Sequence, residues 1–483
     1  MITLPAAPFS KEEQTTIENN LLKNIATNGN KLVKIPGNTI LEAAPGAVIA
    51  APALPSPTFN QDYFFHWVRD GAIAMHEILL AYEAENVPER KAIFKECLFD
   101  YLSFVKKIQA QPQLNGIDVL GEPKFNIDGT LWTGQWSRPQ PDGAAYQAIF
   151  LAKMAQVLLD EGGHEDFVLA NIYHSSQESS LLKDNLEYTA KNWSSMSIGP
   201  WEELLGFHFP VEAVQRRALL DGAALALRLN DPNAAHYYQN SAANISNLMD
   251  AHWNEDVGYY FDLFKGQDIR GGGINSAIIF GLVYGQVHEQ ADQFSLVTKH
   301  ALSSAFYVRN VFEAFYQINA LNSKKENMGP LIGRYPSDLY DGNHMVYGNP
   351  WFLCSNMLAA FYYQTAIKFL QGETIAVDFL VQQFFNQIAP DIALTINEII
   401  EPKAQHFAPI ILALINQADA ILNTIKALSI SDNDQSHFHM SEQINRATGK
   451  QASAPDLSWS YASLLTALRM RKQAATLINN MTD

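Results

Sequence analysis

The sequence predicts an all-α fold of about a dozen helices that closes on itself. Apolar side chains recur every three to four residues through most of the chain, and few segments alternate as strands do. No unit repeats at a fixed period, which disfavours an open solenoid. A helical hairpin alone leaves an apolar face in water, so a long string of them must pack its first members against its last.

Taken in order, Ser10 with Glu13 three residues on is a capping-box pattern that opens a first helix. The stretch 36–65, rich in Pro and Ala, reads as extended. Helical spacing follows at 66–83, 89–109, 142–161, 166–190, 211–229 and 233–253, and again at 274–284, 305–320, 350–371, 374–388, 405–428 and 456–479. Two long loops, 112–142 and 327–350, gather Gly, Pro, Trp, Tyr, Arg and Asp, the composition of functional rather than disordered connections. Between helices lies "PWEELLGFHFPVEAVQRR" at 200–217, with adjacent acids Glu202 and Glu203 among apolar neighbours. If this stretch opens a helix, the two point about 100° apart and cannot share a proton. Each then needs its own partner and task.

A length of 483 residues suggests about three domains as a prior. No linker divides the chain, so a single domain over 1–483 is expected, with 1–44 a helical and extended segment belonging to it. Apolar residues at 47 % against 17 % charged fit a packed globule. The net charge of −17 argues against nucleic acid or an anionic membrane as partner. Cys97 and Cys354, far apart in apolar sequence, read as buried free thiols. The N-terminus lacks a basic region and a continuous apolar run, so no secretory leader is visible, and a cytoplasmic protein or a mature secreted form is expected. The longest apolar runs, such as 407–416, are too short to span a bilayer.

Several nominal motifs fail. "RGGGINSA" at 270–277 has Ser276 where a dinucleotide loop needs its third glycine. "SDNDQSHFHMSE" at 431–442 has His437 in the glycine position of a calcium loop. His437, His439 and Glu442 lack a third histidine nearby, so neither metal nor cofactor is expected. What remains is a set of acids, arginines and aromatics: Arg69-Asp70, Trp136, Arg138, Glu202-Glu203, Arg334, Asp338 and Glu442. Singly, each has a structural explanation as an ion pair or helix cap. Together they are the equipment of a sugar site, where charged groups bind hydroxyls and flat rings cover a pyranose face.

Five ordered blocks carry a resemblance: "DYFFHWVRD" (62–70), "GEPKFNIDGTLWTGQWSRPQPDG" (121–143), "WEELLGFHFPVEAVQRRALLDG" (201–222), "GRYPSDLYDGNHMVYGNPWFL" (333–353) and "MSEQINRATGKQASAPDLSWSYASLLTA" (440–467). The chain resembles glycoside hydrolase family 15, the glucoamylases. The resemblance implies an (α/α)6 toroid, six helical hairpins nested in two rings, and exo-acting, inverting release of β-glucose from α-1,4-glucans. It implies that Glu202 is the general acid and Glu442 the general base, with Ser453 as hydrogen-bonding partner of the base. Glu203 and Arg334 match ligands of the leaving-side sugar, and Arg69 and Asp70 match residues that grip the terminal glucose. Tyr63, Trp67, Lys124, Trp136, Arg138, Trp201, Asp338 and Trp351 match further pocket positions. Such a pair of carboxyls must stand about 6.5–9.5 Å apart to admit a water. An α-glucan substrate and a monomer are expected.

The chain departs from the family in four places. Gly199-Pro200 stands where fungal members have Asp-Leu, and "DGNHMV" at 341–346 looks like an insertion. His66 replaces a smaller polar residue, and no starch-binding module is expected. The alternatives are a related (α/α)6 glycosidase acting on trehalose or α-1,6-glucans, and a catalytically silent carbohydrate-binding toroid.

Overall fold

The computed structural model describes residues 2–35, 37–55, 60–175, 179–266, 273–287, 292–430 and 438–481, and among these fifteen helices are present. Helix α1 (Lys11–Leu22) starts as its capping box dictates: Ser10 N donates to Glu13 Oε2 at 2.7 Å, and Glu13 N donates to Ser10 Oγ at 3.2 Å. The chain falls into two compact units, Leu21–Asp250 with Leu263–Gln267, and Met1–Asn20 with Ala251–Asp262 and Asp268–Asp483.

The first unit holds α2 (Val68–Ala84), α3 (Pro88–Gln109), α4 (Asp142–Glu161), α5 (Glu165–Asn171), α6 (Leu181–Asn192), α7 (Phe209–Arg228) and α8 (Pro232–Asp250). Helices α2, α4 and α7 pack side by side and are the most buried, while α3, α6 and α8 back them. Pro88 and Pro210 sit in the first turns of α3 and α7, where a missing N–H costs nothing.

The second unit holds α9 (Ala277–Tyr284), α10 (Lys299–Phe315), α11 (Gln317–Asn322), α12 (Phe352–Leu370), α13 (Phe379–Ile388), α14 (Phe407–Ser429) and α15 (Ser458–Asn480). Here α12 is the centre, buried along nearly its whole length between α9, α14 and α15. Small residues let α15 approach it closely, and Asn356 Nδ2 donates to the Ser460 carbonyl and Ser463 Oγ, both at 3.1 Å. Thr298 caps α10 and Asp378 caps α13, each through its side-chain oxygen.

Several expected boundaries move for local reasons. The single helix expected over 166–190 is two, α5 and α6, because the intervening stretch is serine-rich and Ser180 Oγ accepts from His174 N at 3.3 Å. The segment 305–320 breaks at Tyr316, and the segment expected from 374 starts only after the Asp378 cap. The capping box belongs to a helix, α1, that apolar spacing alone does not reveal.

One expectation about apolar runs needs correction: α14 is 23 residues and is long and apolar enough, by length and composition, to cross a membrane. Its most apolar window is 56 % buried, and it carries Asp419, which accepts from Tyr363 and pairs with Arg471 at 3.3 Å. Those are the marks of a core helix. Cys97 and Cys354 are buried free thiols, as expected.

Replacing Ser10 with Ala removes one half of the capping box and should lower stability by about 1 kcal/mol. The urea midpoint measures this, with catalytic turnover unchanged.

Candidate active site

Glu202 and Glu203 do not open a helix. Residues Ser197–Ile198 pair antiparallel with Leu205–His208, in register Ser197↔Gly206 and Ile198↔Leu205, and the acids sit in the loop closing that hairpin. Glu202 has φ 62°, a left-handed conformation that a glutamate adopts only when its surroundings require it. Its N–H donates to the Gly199 carbonyl at 2.9 Å, and its carbonyl accepts from Ser137 Oγ at 2.7 Å. Glu203, one residue on, is exposed. The divergence of the two acids thus comes from a twisted loop rather than from helical pitch. Gly199 explains one departure from the family, since a Cβ there would lie 2.5 Å from the His208 ring.

Both donors to the Glu202 carboxyl converge on one oxygen. Trp67 Nε1 and Gln140 Nε2 donate to Oε1 at 2.9 and 3.0 Å, and Arg69 Nη2 stands 3.9 Å from the same atom. Oε2 has no hydrogen-bond partner among the described residues. A carboxyl bonded in this way presents its other oxygen in a defined direction.

Arg69 is buried and lies between three carboxylates. Its Nη1 bonds Asp142 Oδ2 at 3.0 Å and Gln140 Oε1 at 3.2 Å, while its Nε stands 3.6 Å from Asp70 Oδ2. Burial opposes the guanidinium charge, but Asp142, Asp70 and Glu202 outweigh it and raise the pKa. Asp142 thus accepts a hydrogen bond from the guanidinium, whereas Asp70 meets it only as an ion pair. Asp70 is left with a buried Oδ2 that has no hydrogen bond. Burial pushes the Asp70 carboxyl up to about 7 against the pull of Arg69, with Glu202 and Asp142 adding to the rise.

Lys124 pairs in register with Trp67, the two lying on short antiparallel strands His66–Trp67 and Lys124–Phe125. Its ammonium sits 3.5 Å from the centre of the Trp136 ring, 4.5 Å from Trp67, 4.6 Å from Phe65 and 4.8 Å from Trp132. Burial pulls this amine down to about 8, with Glu202 and Asp62 acting the other way. Tyr63 and Trp136 each meet Trp67 edge-on, at 5.6 and 5.8 Å. Arg138 does a different job. It bonds Glu122 and the carbonyls of Trp132, Gly134 and Trp136, so its guanidinium clamps the aromatic loop. Trp201 is buried beside the acid in sequence.

In the second unit, Gln443–Ile444 pairs with Gln451–Ala452, in register Gln443↔Ala452. Continuing that register by one pair sets Glu442 opposite Ser453, and Glu442 N donates to the Ala454 carbonyl at 2.8 Å. Ser453 Oγ donates to Glu442 Oε2, and Gln443 Nε2 donates to the same oxygen at 3.2 Å. Ser453 also has a left-handed backbone, φ 67°. Arg334 grips Asp338 through Nε at 2.8 Å and Nη2 at 2.6 Å. Its guanidinium lies 5.3 Å from the ring centres of Tyr335, Tyr340 and Trp351.

The expected residues therefore gather in two sets. One, in the first unit, comprises Tyr63, Trp67, Arg69, Asp70, Lys124, Trp136, Arg138 and Glu202; the other, in the second, comprises Arg334, Asp338, Trp351, Glu442 and Ser453. Gln140 and Asp142, which orient Glu202 and Arg69, went unremarked although they lie in the quoted block 121–143. A neutral amide and a helix-starting aspartate carry no signal of their own. His66 is a core residue: fully buried, it shares Nδ1 with the Val48 carbonyl at 3.0 Å, and burial pulls it down to about 4 while that bond opposes the shift. Among the described residues no group of three His, Cys, Asp or Glu could hold a metal; His437 lies outside them, and His439 meets Asp456 at 2.6 Å.

The model of the glycosyl hydrolases family 15 matches residues 31–469. A glucoamylase of Blastobotrys adeninivorans is 31 % identical over 481 residues, 98 % of this chain and 73 % of that protein. A probable glucoamylase of Schizosaccharomyces pombe is 30 % identical over 433 residues, 89 % of this chain and 85 % of its own length. Among solved structures, the glucoamylase of Saccharomycopsis fibuligera superimposes with a TM-score of 0.80 at 25 % identity, covering 97 % of this chain and 95 % of that one. The glucoamylase of Hormoconis resinae gives 0.79 at 27 % identity over 96 % and 73 %. The fold is the (α/α)6 fold of these glucoamylases, and the chain belongs to the glycosyl hydrolases family 15.

Proposed function

We propose that the protein is an exo-acting glucan 1,4-α-glucosidase in which Glu202 and Glu442 divide the acid and base work of an inverting hydrolysis. The observation that carries the assignment is the one-sided bonding of Glu202. Two neutral donors saturate Oε1, and Oε2 is left to hold the proton. From Oε2 the proton passes to the glycosidic oxygen as the bond from that oxygen to C1 breaks, so the leaving sugar departs as an alcohol. A water gives its oxygen to C1 from the opposite face and its proton to Glu442. The product is β-glucose. Ser453 and Gln443 hold the base by one oxygen in a single orientation.

Recognition of the terminal glucose falls to Arg69 and Asp70. Asp70 Oδ2, buried without a hydrogen bond, is suited to a sugar hydroxyl, because an unmet polar atom of this kind rejects ligands that cannot satisfy it. The aromatic faces around Lys124 supply an apolar wall. Glu203 and Arg334 are assigned to the leaving-side sugar. We include in the proposal a single catalytic domain, action as a monomer and no membrane partner. The charge of −17 disfavours anionic surfaces.

Proton NMR of a maltotriose digest should show β-glucose first; α-glucose as the first anomer contradicts the inverting assignment. Glucose from trehalose but not from maltose would instead assign the chain to a different (α/α)6 activity. Glu202→Gln and Glu442→Gln should each lower kcat by about 10²- to 10⁴-fold with the melting temperature within a few degrees. Normal turnover in either variant removes that residue from its role.

Asp70→Asn has two separable outcomes. It should raise KM for maltooligosaccharides. It should also stabilise the fold: a carboxyl raised to about 7 in the folded state costs stability as pH rises above its unfolded pKa, and the cost is complete above 7. The gain in melting temperature over the parent should therefore grow between about pH 4 and 7 and then level off. A gain that shrinks over this range contradicts the assigned direction.

A further inference from the structure

Residues 340–345, overlapping the segment 341–346 that looks like an insertion, form a closed turn. Tyr340 and Met345 make an antiparallel bridge, and Asp341 N donates to the His344 carbonyl at 3.0 Å. Asp341 Oδ1 accepts from Asn343 N at 2.9 Å and His344 N at 2.6 Å, so the turn is stiffened from within. Its buried tip is Gly342, at φ 92°.

The tip rests on the residue opposite Glu442. A Cβ on Gly342 would lie 2.3 Å from Ser453 Cβ, 2.6 Å from its Oγ and 3.0 Å from its Cα. Ser453 cannot retreat easily, because its own backbone is already held at φ 67°. A second tie runs from the same turn. Asn349 Nδ2 donates both to the Asp341 carbonyl at 3.3 Å and to Gln443 Oε1 at 3.0 Å. Gln443 Nε2 in turn donates to Glu442 Oε2. Two donors to that oxygen, Ser453 and Gln443, are thus backed by one turn.

We infer that the 340–345 turn, through Gly342, is a positioning element for Glu442, setting the two donors that orient its carboxylate. The inference rests on the assignment of Glu442 as base. A base must meet its water within a few tenths of an ångström, and a displacement of about 1 Å costs roughly 100-fold in rate. The turn therefore acts on kcat rather than on sugar binding.

The test is a steady-state comparison on maltotriose of Gly342→Ala, Ser453→Ala, the double variant and Glu442→Gln. Gly342→Ala should lower kcat by about 10- to 100-fold, with KM within about twofold of the parent. In the Ser453→Ala background the same change should add less than about threefold, because the group it displaces is already gone. Asp341→Ala, which loosens the turn without adding bulk, should lower kcat in the same direction and serves alone should Gly342→Ala not fold. Parental kcat in Gly342→Ala, or in Asp341→Ala where that variant serves alone, overturns the inference, and so does a full additive loss in the double variant. Normal turnover in Glu442→Gln would overturn the base assignment itself, whereas an inactive Glu442→Gln beside an unchanged Gly342→Ala would overturn only the role of the turn.

Discussion

A glutamate held at φ 62° costs the chain on the order of 1–3 kcal/mol, and the residues around Glu202 are organised to hold it there. The hairpin of Ser197–Ile198 and Leu205–His208 imposes the conformation. Ser137 and Gly199 bond the carbonyl and N–H of Glu202 and keep it there. Trp67 and Gln140 then meet Oε1 from α2's leading edge and the loop ahead of α4. Ser453 repeats the device beside Glu442, at φ 67° after its own hairpin. In both places short strands, which contribute little to the core, overrule backbone preference where a side chain must be aimed.

Helix spacing in the sequence revealed the scaffold because the buried faces of α2, α4, α7, α12 and α15 are long and regular. It failed where local side chains win. Serines near 174–180 split one expected helix, and α1 is announced by its cap and not by its apolar face. The candidate acids were legible only as members of ordered blocks. Their partners were not: Gln140 acts through a neutral amide, and the pairing of Glu442 with Ser453 follows from a strand register, which no composition or spacing exposes. Nor does spacing expose the bonds of Arg138 to Glu122 and to the carbonyls of its own loop.

The departures from the family sort by what they touch. Gly199 is compelled by the His208 ring, so the residue pair before the acid reflects how this hairpin is packed. His66 fills a core position against Tyr101 and Phe104 and stays neutral. The segment 341–346 touches the partner of Glu442, because its tip abuts Ser453.

Each carboxyl carries its described shell in a separate stretch of polypeptide. Glu202 draws its partners from residues 67–199, and Glu442 from residues 352–454. A recombinant joining two relatives between Phe264 and Arg334 would therefore inherit both sets of supports whole, each from one parent. Chain exchange in that interval can reshuffle sugar preference without dismantling the apparatus that aims either acid.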